Sequence, residues 1–169
     1  MLMKLLIGAG LAFALTFPSA GFAQDKASQK FLKEAIEGNL AEVQMGELAQ
    51  KNGGSDGVRS FGQMLQKDHS DANQKATAAA NNLGMTAPTA PNAKQKAAYD
   101  RMAKLSGPAF DRAFAMHMVE GHKKVIKEYE KEAKKSDAAG SYAKEALPTL
   151  HKHLETAQNL SGMGTTGKR

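Results

Sequence analysis

Cysteine and tryptophan are both absent from this chain of 169 residues, and aromatic residues make up only 6% of it. The absence of cysteine excludes disulfide bonds and the lipid attachment of a bacterial lipoprotein, so burial of a core must stabilise the fold alone. With so few aromatic residues, that core must be built from Ala, Leu, Met and a few Phe. β-Branched residues are also scarce. This composition favours helices, because Ala, Leu, Lys, Glu and Gln lose little side-chain entropy in a helix.

The chain has one long apolar run, and it lies at the N-terminus. Residues 1–4 carry a positive charge, residues 5–17 are apolar, and Gly21-Phe22-Ala23 places small residues where a signal peptidase acts. The sequence therefore predicts a signal peptide over residues 1–23, cleavage after Ala23, and a periplasmic or secreted protein. The run is too short for a comfortable membrane span. An uncleaved amphiphilic anchor is the alternative, and we predict no transmembrane segment after cleavage.

The formal net charge is +6 over the whole chain. It becomes +5 once the single lysine of the signal peptide is removed. The positive residues are scattered over helix faces, and their densest points, Lys123-Lys124 and Lys134-Lys135, are interpreted as solvated surface. No aromatic residues are interleaved with them as in a nucleic-acid-binding surface. We therefore predict no nucleic-acid partner.

Breaker residues divide the remaining chain into helices. Asn52-Gly53-Gly54 ends the first segment, and Pro88 and Pro91 mark a non-helical connection over residues 85–92. Ser106-Gly107-Pro108 then opens the third long segment, with proline near the first turn. The predicted long helices span about residues 26–51, 55–83, 108–135 and 137–160, and a short helix spans residues 93–105.

The order of these segments predicts an all-α fold of one domain over residues 24–160, followed by a disordered tail over residues 161–169. Two helical hairpins are joined by a connection long enough to run the full length of a helix. A four-helix bundle with one long crossover is the ferritin-like arrangement. The rival is a simple up-down bundle in which the short helix covers one end.

One polar residue interrupts the apolar stripe near the middle of each long helix. These residues are Glu42, His69 and His153, together with His122, which lies about 45° from the centre of its stripe at 100° per residue. All four lie at similar depth, because each is separated from its hairpin turn by about three to four helical turns. The sequence therefore predicts that these side chains meet in the interior of the bundle.

Two interpretations of this cluster are open. Three imidazoles and a carboxylate suit one transition-metal ion such as Zn, Cu, Fe or Mn, and bundle interiors commonly hold such sites. The alternative is a buried hydrogen-bond network in which Glu42 accepts from one imidazole, and the other imidazoles bond water or Thr149. A carboxylate buried without partners is costly, so either interpretation requires partners for Glu42.

The paired motif of ferritin di-metal centres is missing. That motif requires a glutamate three residues before a metal-binding histidine. The corresponding positions here are Gln66, Val119 and Leu150. The sequence therefore argues against oxidation of ferrous iron at a ferritin-type centre.

Other candidate residues are weaker. Asp68 lies on the flank of the stripe, where it either orients an imidazole or, as we favour, faces solvent. Glu47 and Glu120 lie off their stripes, and His117 and His151 also point away from them, so all four are interpreted as surface residues. Met45, Met64 and Met118 are interpreted as core filler rather than copper ligands.

Several blocks of this sequence resemble a family of exported bacterial proteins with a domain of unknown function, number 4142, often described as putative outer-membrane proteins. The resemblance covers nearly the whole chain after the signal peptide and implies a ferritin-like bundle, but no mechanism. The outer-membrane description gains no support here from alternating strands or a lipid anchor. The blocks that carry the resemblance are residues 41–49, 61–69, 110–114, 118–122 and 147–150 with His153.

The function favoured by the sequence is that of a non-enzymatic, exported helical bundle. Its interior cluster is structural or binds one metal ion, and a role in envelope stress tolerance is implied by analogy with the family alone. Two alternatives belong to other classes of protein. One is a metal-dependent redox enzyme that handles peroxide or superoxide, and the other is an interaction module that docks a partner or a membrane surface through a helix face.

Overall fold

The computed structural model describes residues 20–162, with side chains from Lys26 onward, and the regular elements of this range are helices. The four long helices and the short one appear in the predicted order, which confirms the all-α helical bundle. The predicted signal peptide lies almost wholly outside the described residues, and so does residue range 163–169 of the predicted tail. The helices are α1 Ala20–Asn52, α2 Asp56–Asn82, α3 Ala93–Met102, α4 Gly107–Glu132 and α5 Ala138–Leu160.

Local capping interactions explain where most helices begin. The side chain of Ser55 accepts from the backbone N–H of Val58 at the start of α2, and Asn92 forms a reciprocal capping box with Gln95 at the start of α3. Three boundaries differ from the prediction by more than one residue. Helix α1 begins six residues earlier than predicted, and α3 and α4 each end three residues earlier, where turns replace the last predicted helical turn.

The two hairpin turns lie at opposite ends of the bundle. Gly53, at the α1–α2 turn, forms a backbone bridge with Gly107, the first residue of α4. At the other end, the hydroxyl of Ser28 in α1 donates to Asp137 in the α4–α5 turn, over 2.6 Å. Helices α2 and α4 therefore start at the same end, and residues 83–106 return the chain along the whole bundle. This single long crossover excludes the simple up-down arrangement and agrees with the crossover expected of a ferritin-like bundle.

The apolar core consists of two separate clusters, one toward each end. The near core adjoins the α1–α2 turn and is rich in Phe and Met, whereas the far core adjoins the α4–α5 turn and is rich in Ala. Each long helix contributes to both cores. The near core includes Met45, Val58, Phe61, Leu65, Phe110, Phe114 and Met118; the far core includes Leu32, Ile36, Ala76, Ile126, Tyr129 and Tyr142.

The four helices are not packed equally. Helix α1 packs closely on α2, and α4 packs on α5, whereas α1 and α4 touch only sparsely. A cavity of about 560 Å³ lies between α1 and α4, with α3 at its edge. Within the described residues, no helix combines the length and the apolar character needed to cross a membrane.

Candidate metal centre

Three histidine side chains meet between the near core and the far core. His69 of α2, His122 of α4 and His153 of α5 are all buried. One ring nitrogen from each lies within 4.8 Å of the other two. Three atoms that lie within 4.8 Å of one another are all within about 2.8 Å of some common point. A metal–imidazole bond is shorter, about 2.0–2.1 Å. Small inward movements of the rings would therefore allow all three to bind one ion.

Hydrogen bonds to oxygen acceptors fix the tautomers of His69 and His122. Nδ1 of His69 lies 2.9 Å from the amide Oδ1 of Asn39 in α1. Nδ1 of His122 lies 3.0 Å from the backbone carbonyl of Met118, one turn earlier in α4. Because both partners can only accept, both Nδ1 atoms carry the proton. The lone pair of each neutral ring is therefore on Nε2.

The imidazole of His153 has the opposite tautomer to those of His69 and His122. Nε2 of His153 lies 3.0 Å from Oδ2 of Asp68 in α2. Since a carboxylate accepts, Nε2 of His153 donates, and its lone pair is on Nδ1. The nitrogens without hydrogen-bond partners are Nε2 of His69, Nε2 of His122 and Nδ1 of His153, and each is buried. Every ring thus has one nitrogen anchored by an acceptor and the other available to a ligand, the arrangement of metal-binding histidines.

The surroundings keep these imidazoles neutral. Burial lowers the pKa of His122 to about 4, with a further contribution from His153 and an opposing one from the Met118 carbonyl. Burial, reinforced by the other two rings, holds the pKa of His69 well below its ordinary value. Burial also lowers the pKa of His153, although Asp68 opposes that shift. Neutral imidazole is the form that binds metal, so no proton has to be displaced near neutral pH.

Glu42 lies beside this cluster rather than within it. It lines the cavity between α1 and α4 together with His69 and His122, but it does not belong to the group of converging ligand atoms. Its Oε2 is buried and has no hydrogen-bond partner. Burial raises the pKa of its carboxyl to about 7. The predicted hydrogen bond from an imidazole to Glu42 therefore does not occur at Oε2.

Three groups accept hydrogen bonds from the imidazoles: Asn39, the Met118 carbonyl and Asp68. The sequence analysis placed one of them differently and did not identify another. Asp68 was expected to face solvent, but it accepts from His153, because α2 and α5 pack against each other. Asn39 was not singled out, although a polar residue one turn before Glu42 on the same helix could have indicated it. Thr149, the expected partner of an imidazole, lines the same pocket as His69 and His153 but bonds neither ring, because their nitrogens bond Asn39 and Asp68 or have no partner.

The weaker candidates divide between surface and core. Glu47, Glu120 and His151 are exposed, as predicted. His117 is half-buried and lines the same cavity as His122, so the prediction of a plain surface residue was wrong. The core assignment of Met45 and Met118 is confirmed, since both are buried in the near core, and Met64 packs against it.

The cluster can be approached from two sides. The cavity between α1 and α4 reaches His69, His122 and Glu42. A smaller pocket of about 160 Å³ between α2 and α5 reaches His69, His153 and Asp68. An ion and a small molecule could therefore reach the converging nitrogens without unfolding of the bundle. Three nitrogen donors with access for a further ligand are the composition of catalytic and transport metal sites rather than of closed structural ones.

The comparisons with known proteins identify a family but no activity. The family model described as "Domain of unknown function (DUF4142)" matches residues 16–160. The search of curated proteins found no match, and neither did the search of solved structures. The chain belongs to this family, as its sequence blocks had indicated.

Proposed function

We propose that this member of the family binds one divalent transition-metal ion through His69, His122 and His153. Two observations together carry this proposal: one ring nitrogen of each histidine lies within 4.8 Å of the other two, and each ring has one buried nitrogen without a hydrogen-bond partner. Each of these nitrogens bears a lone pair, because the opposite nitrogen of its ring donates to an oxygen. A cation placed between them would satisfy all three.

The alternative, a purely structural network, fits this arrangement poorly. Such a network pairs donors with acceptors, and a buried polar atom without a partner costs about 1–3 kcal/mol. Here each of the three neighbouring rings has an unpartnered acceptor, and none has a donor left to offer the others. A water molecule has two protons and could satisfy at most two of the three nitrogens. One metal ion satisfies three without further partners.

The donor set restricts the kind of ion. Three neutral imidazoles and no thiolate favour Zn²⁺, Cu²⁺, Fe²⁺ or Ni²⁺ over Ca²⁺ and Mg²⁺, which prefer oxygen ligands. Asp68, which accepts from His153, would offset part of the positive charge of the loaded site. Glu42 lies on the cavity side and would meet whatever occupies the remaining coordination position.

Metal titration of the purified chain from Gln24 onward tests the proposal. After removal of metal with a chelator, calorimetric titration with Zn²⁺ and with Cu²⁺ should each give one site per chain. His153→Ala should lose this site. His151→Ala is the matched control, because it removes an exposed imidazole from the same helix two residues away and should bind like the wild type. Absence of a stoichiometric site in the folded wild type, or equal loss in both variants, would refute the proposal.

We also propose that the protein is exported. The N-terminal residues have the three-part composition of a signal peptide, and the chain carries no cysteine that an oxidising compartment would affect. Fractionation of expressing cells, followed by N-terminal sequencing, should give a mature chain that starts at Gln24. A deletion strain challenged with excess copper or with peroxide would test the role in envelope stress tolerance that the family implies.

The interaction module finds no comparable support. A docking face requires a contiguous apolar patch of a few hundred Å². Met116, at 49% relative exposure, is the exposed large hydrophobic residue of the described range. The redox alternative does have an observation in its favour. Two tyrosines are connected to the histidine cluster by hydrogen bonds through Asn39.

A further inference from the structure

A chain of hydrogen bonds leads from the histidine cluster into the far core. Nδ1–H of His69 donates to Oδ1 of Asn39, over 2.9 Å. Nδ2 of the same amide donates to the hydroxyl of Tyr142, over 3.0 Å. The hydroxyl of Tyr142 lies 3.4 Å from that of Tyr129. One amide side chain thus connects an imidazole of the candidate site to two phenols on two other helices.

The protons of the two hydrogen bonds made by the Asn39 amide point away from the imidazole. The hydroxyl of Tyr142 accepts from Asn39, and either hydroxyl can donate in the contact between Tyr142 and Tyr129. Each directed bond polarises the next one, so an ion on Nε2 of His69 would strengthen the hydrogen bond to Asn39 and the one from Asn39 to Tyr142. Tyr129 also lines both the cavity between α1 and α4 and the pocket between α2 and α5. Its phenolic proton therefore has a route to water.

Both tyrosines remain phenols at neutral pH. Burial holds the pKa of Tyr129 well above its ordinary value, and burial also raises the pKa of Tyr142. Each ring is almost fully buried, and the two ring centroids are 5.9 Å apart. A phenol is the side chain of this tryptophan-free and cysteine-free protein that gives up one electron most easily when its proton leaves with it.

A structural role alone would account for part of this arrangement. Buried hydroxyls require partners, and Asn39 must be satisfied on both ends. That role does not require that the partners be redox-active, nor that they end at a cavity. Tyr99 serves as an internal control for the two tyrosines. It is half-buried in α3, packs against the near core, and is not part of this hydrogen-bonded series.

We propose that the Tyr142–Tyr129 pair is the electron donor of the metal site toward a peroxide. This inference rests on the proposed metal site. A redox-active ion in its reduced divalent state gives one electron to hydrogen peroxide, and a tyrosine gives the second. The O–O bond breaks, and the products are the trivalent ion, one hydroxide, one water and a neutral tyrosyl radical. The phenolic proton becomes part of the water, so the atoms and charges balance.

Electron paramagnetic resonance provides the test. The apoprotein is loaded with one equivalent of Fe²⁺ without oxygen, excess metal is removed, and one equivalent of hydrogen peroxide is mixed in before freezing. The wild type should give a tyrosyl signal. Tyr129→Phe and Tyr142→Phe should each reduce it several-fold, whereas Tyr99→Phe should leave it unchanged. Protein loaded with redox-inert Zn²⁺ should give no signal.

Metal titration of the same four proteins separates this inference from the proposed function. Tyr129→Phe and Tyr142→Phe should bind metal like the wild type, because neither hydroxyl is a ligand. If the wild type binds metal but forms no radical, or if Tyr99→Phe removes the signal, the tyrosine relay is refuted and the metal site stands. If the wild type binds no metal, the proposed function itself fails and the relay fails with it.

A variant that misfolds is replaced by Asn39→Asp, which keeps an acceptor for His69 but has no amide proton for Tyr142. This variant should bind metal and give a weakened tyrosyl signal.

Discussion

The middle layer of this bundle is polar, whereas the two cores beside it are apolar. The near and far cores are apolar and densely buried, and every long helix contributes residues to both. The middle layer contains His69, His122 and His153, and it holds most of the buried side-chain atoms that have no hydrogen-bond partner among the described residues. A fold that needed only stability would continue its apolar stripe through this layer. The cores therefore hold the helices in place, and the polar interruption between them is where the proposed metal site lies.

The largest expected effect comes from damage to a core. Phe110 is fully buried and its ring stacks on Phe114, with centroids 5.4 Å apart. Phe110→Ala should lower the free energy of unfolding by about 3–5 kcal/mol, because it leaves a cavity in the near core. Urea denaturation measures this loss. Metal affinity of the folded fraction should not change, and the milder Phe110→Leu tests this if the alanine variant is too unstable. Loss of metal binding in Phe110→Leu would contradict the division between core and site.

Acid should destabilise the middle layer of the metal-free protein. The pKa of His122 is about 4 in the folded protein and 6.5 ordinarily, so the unfolded chain binds more protons between these values. Stability is therefore present above pH 6.5 and is lost as the pH falls toward 4, by about 3 kcal/mol at most from this residue. Urea denaturation at a series of pH values measures the loss.

Replacement of His122 by leucine tests whether its imidazole causes this loss of stability. His122→Leu keeps a similar volume and removes the titrating ring, so its stability should depend less on pH over this window. An equally steep loss in His122→Leu would show that the imidazole is not responsible.

A smaller effect of the opposite sign is expected at Glu42. Burial raises the pKa of its carboxyl from 4.5 to about 7, so its stabilising contribution is present below pH 4.5 and is lost as the pH rises through 7. At pH 8 the charged carboxylate destabilises the fold. Glu42→Gln should then raise the free energy of unfolding by about 1–3 kcal/mol. Glu47→Gln is the control, because Glu47 is exposed on the same helix and should change stability by less than about 0.5 kcal/mol. A destabilised Glu42→Gln would mean that the carboxylate has a partner.

The helices and the crossover were predictable because their signals are local. Ser55 caps α2, Asn92 caps α3 and Asp137 caps α5, and glycine or proline stands at the other breaks, so most boundaries differ from the prediction by no more than three residues. The crossover followed from its length and its two prolines. The start of α1 was not predicted, because the helix continues into residues that the sequence assigns to a signal peptide.

The site was only partly predictable. The three histidines were found because a polar residue at a fixed phase of the apolar stripe must enter the interior, whatever the partners are. Asn39 and Asp68 could not be assigned in this way. Each bonds an imidazole on another helix, more than 25 residues away in the chain, and helix periodicity contains no information about which helices are neighbours.

The sequence alone determined which residues form helices, which face of each helix is apolar, and at what depth the polar residues enter. These properties follow from the 3.6-residue period and from turn chemistry, which act over a few residues. Only the tertiary structure decided which nitrogen of each imidazole is anchored and which is free, and that Glu42 stands beside the cluster rather than in it. A tautomer is set by the acceptor that reaches the ring. For His69 and His153 that acceptor comes from another helix, and its position is fixed only when the two cores have packed.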